Sequence, residues 1–205
     1  MLTLRRFAAV LVAVAVLAAC APASVDAPTN WLLDSDRSSL SFVSIKAGDL
    51  PEAHRFGALS GLVDSAGHAR VDVSLASVDT GIEIRDERMR EHVFQLDSFP
   101  IASLSANLDV SEITALAVGD QLDRDMTVEL GFSGLTVPVQ ARVTVLRLET
   151  AEVVVTAREP VLLNADAIGI ADGLATLQSL AGLPSISKAV PVDFVLTFVG
   201  ADPAG

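Results

Sequence analysis

Alternation of apolar and polar residues recurs along most of this 205-residue chain and restricts its fold more than any other feature. Successive side chains of a strand point to opposite faces, so such runs predict strands with one buried face. In the clearest run, residues 70–75, the apolar members are Val71, Val73 and Leu75. The other runs are residues 40–45, 56–63, 101–110, 125–132, 136–148, 151–157 and 190–199. The pattern predicts an all-β domain of about eight or nine strands.

Two segments break the alternation and carry apolar residues at helical spacing. They are residues 85–96 and residues 172–181, the second of which precedes the helix-ending residues Gly182 and Pro184. Many strands joined by short turns, together with two short helices, favour a barrel or a sandwich. Some strands, such as residues 143–148, are apolar on both faces, which indicates an outer face covered by a helix or by another copy of the chain.

The N-terminus has the features of a secretory signal. Two arginines precede an apolar run at residues 7–19, which ends in small residues directly before Cys20. Small residues before a cysteine resemble the bacterial lipobox, in which the cysteine is lipidated and becomes the mature N-terminus. The alternative is an Ala-x-Ala type of cleavage near Ala19 or Ala23 with an incidental cysteine. The apolar run is short for a transmembrane helix.

The lipobox interpretation divides the chain into four parts. We expect a lipoprotein signal peptide at residues 1–19, a lipid-anchored tether at 20–30, one barrel domain at 31–200 and a tail at 201–205. Lipidation predicts a location on the periplasmic side of the cell envelope, and Ala21 after the cysteine favours the outer membrane. Since Cys20 is the only cysteine, the domain has no disulfide and depends on its apolar core.

Charge and motifs exclude several classes of function. The formal net charge of −12 disfavours binding to nucleic acid and to anionic lipid surfaces. The three histidines, His54, His68 and His92, lack metal-ligand spacing. The chain contains no nucleophile elbow, P-loop or dinucleotide fingerprint. We therefore expect no metal site, no catalytic residues and no resident cofactor.

Residues 80–90 read Thr-Gly-Ile-Glu-Ile-Arg-Asp-Glu-Arg-Met-Arg and are followed by Phe94 and then by Phe99 and Pro100. This order resembles the YceI-like family of bacterial periplasmic proteins, in which a Thr-Gly-x-x-x-Arg-Asp stretch opens a short helix and an aromatic-proline pair starts the next strand. The resemblance extends over residues 31–199. The other stretches that match in order are residues 34–42, 57–67 and 126–139.

The resemblance implies a lipocalin-like, antiparallel eight-stranded β-barrel with one or two short helices and an elongated apolar tunnel. It implies that the tunnel binds a polyisoprenoid chain, such as an isoprenoid lipid or a quinone tail, for storage or transport without catalysis. An eight-stranded barrel has room for one small ligand. The candidates for the tunnel wall are Phe42, Phe56, Val71, Val73, Leu75, Phe94, Leu130, Phe132, Phe194, Leu196 and Phe198.

Arg85, Asp86 and Met89 lie at the change from strand to helix and are the candidates for the tunnel mouth. A purely structural role is the alternative for the two charged residues. In that role, Thr80 or Asp79 caps the helix, Asp86 favours its N-terminus, and Arg85 binds loop carbonyl groups.

Two other classes of function stay open. The first is an envelope stress-related interaction module whose barrel is filled by its own side chains and whose apolar strand faces form a homodimer contact. The second is an enzyme that acts on lipids, with Arg85, Asp86 and His92 as its candidate residues. No constellation that contains histidine supports the enzyme.

Overall fold

A computed structural model describes residues 30–201, which form a twelve-stranded antiparallel sheet with short helices. The predicted signal peptide, Cys20, most of the tether and most of the tail lie outside the described residues. The strands are β1 (Asn30–Leu33), β2 (Ser39–Lys46), β3 (Leu50–Phe56), β4 (Leu59–Val63), β5 (His68–Ser74), β6 (Val78–Asp79), β7 (Ile101–Asn107), β8 (Gln121–Phe132), β9 (Leu135–Glu149), β10 (Glu152–Ala157), β11 (Val161–Asn164) and β12 (Ala189–Ala201). The helices are α1 (Glu83–Arg88), which continues into a π-helical turn (Met89–Val93), α2 (Val110–Thr114) and α3 (Ala171–Leu180).

The sheet closes into a barrel because β12 pairs with both β1 and β10. At four positions around the barrel, two short strands follow one another in place of one long strand. These pairs are β1 and β2, β3 and β4, β5 and β6, and β10 and β11. Together with β7, β8, β9 and β12 they make eight strands around the barrel. The predicted antiparallel eight-stranded barrel is therefore confirmed.

The interruption between β3 and β4 lies opposite the interruption between β5 and β6, and Ser77 accounts for both. Gly57 and Ala58 separate β3 from β4, and both backbone N–H groups donate to the hydroxyl of Ser77, at 3.1 and 3.0 Å. Ser77 ends the 3₁₀ turn between β5 and β6. The single strand predicted for residues 56–63 is therefore divided, because a side chain takes the place of a strand partner here.

The helices lie at the two ends of the barrel. The upper end holds α1, α3 and the β2–β3 turn, and the lower end holds α2 and the β4–β5 and β9–β10 turns. Within residues 30–201 no helix covers the outer face of residues 143–148, where Leu148 is 40% exposed, so of the two expected covers, a helix or another copy of the chain, the helix is not found. No helix within residues 30–201 combines the length and apolarity needed to cross a membrane.

The two expected helices are observed, and α2 was not expected. The residue 85–96 segment forms α1 and its π-helical turn, and the residue 172–181 segment forms α3. The strand predicted for residues 101–110 ends at Asn107, after which Asp109 caps α2 by accepting the backbone N–H of Ser111 at 3.0 Å. An Asp followed by Ser two residues later is a local capping signal that strand periodicity overlooks.

Candidate functional site

A cavity of about 920 Å³ runs through the barrel from the upper to the lower end. This volume lies near the top of the range of roughly 300–1,000 Å³ that is typical of small-molecule sites. Strand alternation builds the wall, as β9 shows. Val143 and Val145 face inward and are 2% and 6% exposed, whereas Arg142, which lies between Ala141 and Val143, faces solvent. The barrel interior is thus an apolar space that its own side chains do not fill.

Every residue that the sequence proposed for the tunnel wall lines this cavity. Phe42 and Phe56 come from β2 and β3, and Phe94 follows the π-helical turn of α1. The remaining wall candidates, all on strands or directly after them, are Val71, Val73, Leu75, Leu130, Phe132, Phe194, Leu196 and Phe198. They converge because each occupies an inward position of its strand.

Sequence reasoning missed several lining residues, above all Trp31 and His54. Trp31 is the only tryptophan of the chain and lies on β1, which is too short to show a period. His54 lies on β3, whose polar residues hide the alternation of inward Glu52, His54 and Phe56. Inward residues recur at every second position of β3, and this spacing is the sequence signal from which the strand could have been predicted.

Arg85 lies at the upper mouth of the cavity and is held by three hydrogen bonds. Its Nη1 donates to Glu52 Oε2 at 2.6 Å, its Nε to Thr80 Oγ1 at 2.8 Å, and its Nη2 to the Thr80 carbonyl at 2.7 Å. Lys46 Nζ also lies 2.8 Å from Glu52 Oε1. The bond from Lys46 holds the pKa of the Glu52 carboxyl below its usual range, and Arg85 lowers that pKa further. Glu52 thus joins two cations at the mouth.

Met89 lines the cavity beneath Arg85, but Asp86 does not. The buried Asp86 carboxylate accepts the backbone N–H of Thr80 at 2.9 Å and its hydroxyl at 2.5 Å. The helix residue therefore fixes the preceding loop, and neither Thr80 nor Asp79 caps α1 as expected, because the N-cap position is Ile82. Of the three residues proposed for the mouth, Arg85 and Met89 face the cavity, and Asp86 holds the loop behind it.

Apolar side chains form the outer rim of the upper mouth. Ile82 directly before α1 and Ile84 within it are 48% and 54% exposed, and Leu180 at the end of α3 is 46% exposed. All three line the cavity. Exposed apolar groups that continue the wall of a cavity are typical of a ligand-binding groove.

The wall opens a second time near the lower end, between β7 and β8. These strands pair only through residues 103–105 and 129–131, so residues 121–128 of β8 have β9 as their sheet neighbour on one side only. α2 covers this gap, and Arg124 of β8 pairs with Glu112 of α2 at 2.7 and 3.1 Å. An ion pair and a helix of a little over one turn therefore close the lower end.

Buried Arg147 also secures α2. It is 5% exposed and donates from Nη1 to the carbonyl oxygens of Ile113 at 3.2 Å and Thr114 at 3.0 Å. Its Nη2 donates to the Thr150 carbonyl at 2.5 Å. A guanidinium at the C-terminal end of a helix meets carbonyl groups that have no partner within that helix.

His54 is the most deeply buried titratable side chain of the upper half, at 4% exposure. Its Nε2 lies 2.7 Å from Ser44 Oγ, and its ring centroid lies 5.1 Å from that of Phe42. Burial lowers the pKa of His54, and the charge of Arg85 acts in the same direction. The imidazole is therefore neutral near pH 7.

The other two histidines each lie near a single carboxylate. His68 pairs with Asp64 at 2.9 Å, and His92 lies 3.8 Å from Glu91. Within residues 30–201 the structure places no three His, Cys, Asp or Glu side chains where they would hold a metal ion. The cavity is thus the candidate functional site of the described residues.

Two solved structures share this architecture. A polyisoprenoid binding domain from Saccharophagus degradans, implicated in plant cell wall breakdown, is 35% identical with a TM-score of 0.82, over 83% of this chain and 98% of that chain. BcnA from Burkholderia cenocepacia is 21% identical with a TM-score of 0.61, over 80% of this chain and 98% of its own, and it supports the fold alone. No curated protein sequence matches the chain.

The YceI-like domain model matches residues 31–198, which is most of the chain. Its range agrees with the closed barrel, which the structure describes from Asn30 to Ala201. The antiparallel eight-stranded barrel and its apolar cavity agree with what the resemblance implies. The chain belongs to the YceI-like family.

Proposed function

We propose that this protein binds an isoprenoid lipid or quinone without catalysis and encloses its tail in the barrel, for storage or transport in the bacterial cell envelope. The cavity of about 920 Å³, which is lined along its length by aliphatic and phenyl groups, carries the proposal. The similar domain from Saccharophagus degradans, named for polyisoprenoid binding, supports it. Burial of a flexible hydrocarbon chain is driven by release of water and needs few directed contacts.

The length of the tail sets the affinity. A ligand efficiency of about 0.3 kcal/mol per heavy atom gives about 6 kcal/mol for a twenty-carbon tail and about 12 kcal/mol for a forty-carbon tail. These free energies correspond to dissociation constants of tens of micromolar and of about a nanomolar. A long isoprenoid should therefore stay bound through purification, whereas a short one should be lost.

We propose further that the protein is held at the periplasmic side of the envelope by acylation of Cys20. The apolar run before this residue and the small residues at the cleavage point support this proposal. Ala21 favours the outer membrane. Several acyl chains anchor a protein far more stably than one.

An interaction module is the second candidate function. Leu32 and Leu62 pair across β1 and β4, face outward and are 46% and 43% exposed, so they offer a contact to a second copy. The large cavity favours ligand binding over a filled barrel. A stable dimer in sedimentation, in protein that takes up no lipid, would favour the module.

Filling the cavity tests the proposal. Ala141 lies on β9, lines the cavity and is 8% exposed, so Ala141→Phe places a ring inside the space where the tail would lie. We expect at least tenfold weaker binding of a forty-carbon isoprenoid. Ala53→Phe on the exposed face of β3 is the matched control and should bind as the wild type does. Equal binding by both variants would contradict the proposal.

A further inference from the structure

The cavity extends sideways through the gap between β7 and β8, beyond the three residue pairs that join these strands. In β9 only inward residues line the cavity, and these are Val139, Ala141, Val143 and Val145. In the part of β8 that has no β7 partner, the outward residues Asp125 and Thr127 line it as well. A cavity lined by both faces of one strand passes around the edge of that strand. The gap is therefore a lateral opening, separate from the upper mouth.

Arg124 occupies an inward position of β8 but is not buried. Its partner across the sheet is Val143, whose side chain faces the cavity. Directly opposite residues of antiparallel strands point to the same face, so an apolar side chain is the expected occupant of this position. The side chain of Arg124 is instead 43% exposed and meets Glu112 of α2 at 2.7 Å. The arginine thus fastens α2 across the opening.

α2 is attached at its two ends and only lightly held between them. Before the helix, the Leu108 N–H donates to the Gly67 carbonyl at 2.8 Å, and at its end Arg147 binds the last carbonyl groups. No residue of α2 is buried, although Val110 and Ile113 are half-buried and line the cavity. So short a helix has little stability of its own, and segments with few buried contacts open at low free energy. α2 can therefore move off the gap while the barrel stays folded.

The ion pair between Glu112 and Arg124 is the polar contact that joins α2 to β8 within residues 30–201. Both side chains are nearly half exposed, at 45% and 43%. A pair with this exposure changes an equilibrium by about fivefold at most. It therefore favours the closed position of α2 without preventing its opening.

We propose that the gap between β7 and β8 is a second entrance to the cavity, that α2 is its lid, and that the Glu112–Arg124 pair holds the lid closed. The inference rests on the proposed function, because the molecule that passes is the enclosed lipid. An apolar chain suits this route, since Leu122, Met126 and Val128 of β8 line it opposite the apolar side chains of α2. A long tail enters from the side here, instead of being threaded along its whole length from the upper mouth.

A chemical link across the gap tests the lid. In the full chain with Cys20→Ser, the added thiols of Glu112→Cys and Arg124→Cys are joined by a short bismaleimide after the protein has bound a radiolabelled isoprenoid alcohol of about forty carbons. Exit of this probe into phosphatidylcholine vesicles is measured by centrifugation, before and after linkage. We expect the link to slow exit at least tenfold. The matched control joins Asp123→Cys to Thr144→Cys, which are outward neighbours on β8 and β9, and should leave exit unchanged because this link does not cross the gap.

Breaking the ion pair gives a second readout in the opposite direction. Glu112→Gln should speed uptake and exit of the probe by about two- to fivefold each, and thus change the affinity less than twofold. The exchanged pair, Glu112→Arg with Arg124→Glu, should return both rates towards those of the wild type. Unchanged rates in Glu112→Gln, or equally fast exit with and without the link across the gap, would overturn the inference and leave tail binding intact. A wild type that binds no probe would instead remove the proposed function, and the entrance with it.

Discussion

Single polar residues inside this barrel serve two separate purposes. Arg147 and Asp86 are buried with all-protein partners and hold the lower helix and the upper loop in place. His54 differs from them because one of its ring nitrogens lacks a protein partner. The first two are therefore expected to affect stability, and His54 is expected to make that stability depend on pH.

Protonation of His54 should make stability depend on pH. Burial lowers its pKa in the folded state, whereas the unfolded chain takes up the proton near the ordinary value of 6.5. The unfolded state thus binds more protons as the pH falls below about 7, so the stability present above that pH is lost. Arg85, Lys46, Glu52 and Asp86 are the charged groups that act on the ring.

We expect the free energy of unfolding of the wild type to fall between about pH 7.5 and pH 5.5, and that of His54→Phe to fall less steeply. Urea titrations at several pH values measure this difference. Within this window the carboxyl groups stay ionised, so their contribution to the slope is small. Parallel slopes for the two proteins would contradict the assignment of a neutral, buried His54.

Arg147 should stabilise the lower end of the barrel. Arg147→Met keeps an unbranched apolar stem but leaves the carbonyl groups of Ile113, Thr114 and Thr150 without this donor. We expect a loss of about 2 kcal/mol in the free energy of unfolding and faster amide exchange in α2. Arg147→Lys keeps a charged donor and should lose less. Unchanged exchange in α2 of the Met variant would show that the guanidinium does not hold this helix.

Among the elements, α3 is positioned by a close contact with the π-helical turn after α1. A Cβ atom on Gly173 of α3 would meet the His92 carbonyl oxygen and would lie 2.7 Å from the Val93 Cα. In a free helix Gly→Ala stabilises by about 0.5–1 kcal/mol. We expect Gly173→Ala to destabilise by about 1–3 kcal/mol instead, because the two backbones must separate.

Thermal and urea unfolding measure whether Gly173→Ala lowers the free energy of unfolding instead of raising it. Ser179→Ala on the exposed face of the same helix is the control and should be neutral or slightly stabilising. If Gly173→Ala stabilises the protein as it would stabilise a free helix, α3 does not pack on the turn as described.

The elements also show how much of the fold the sequence could predict. Strands with one clean apolar face, such as β5, were recognisable because only inward positions carry Val. β3 was not, since it faces the charged mouth and places Glu52 and His54 at inward positions. The division of residues 56–63 depends on the distant Ser77, which no local pattern contains.

At the scale of the whole molecule, periodicity identified the side chains that face inward but not the space between them. The sequence pattern around Phe42, Val73 and Phe198 would be the same whether the barrel were filled by its own side chains or hollow. Their separation depends on strand tilt and stagger, which the pairing of distant strands determines. The cavity therefore had to come from the family resemblance or from the structure.

The topology predicts how an anchored molecule would face a membrane. β1 begins at Asn30 at the lower end, and the ten Cα–Cα steps from Cys20 to Asn30 would span at most about 35 Å. If Cys20 is acylated, we expect the α2 end to lie nearer the membrane than the α1 end. Spin labels at exposed Ser65 and Asp49, in the lower and upper turns, compare the two ends. A label at Asp49 that lies nearer the lipid would contradict this orientation.

Native mass spectrometry of the full chain with Cys20→Ser, purified without detergent and followed by solvent extraction of any extra mass, tests the central claim most directly. We predict one bound molecule per chain, released by solvent and identified as an isoprenoid or quinone with a long tail. A chain that is bare as purified, and still bare after incubation with long isoprenoids, would contradict the claim that the cavity is a lipid-binding site.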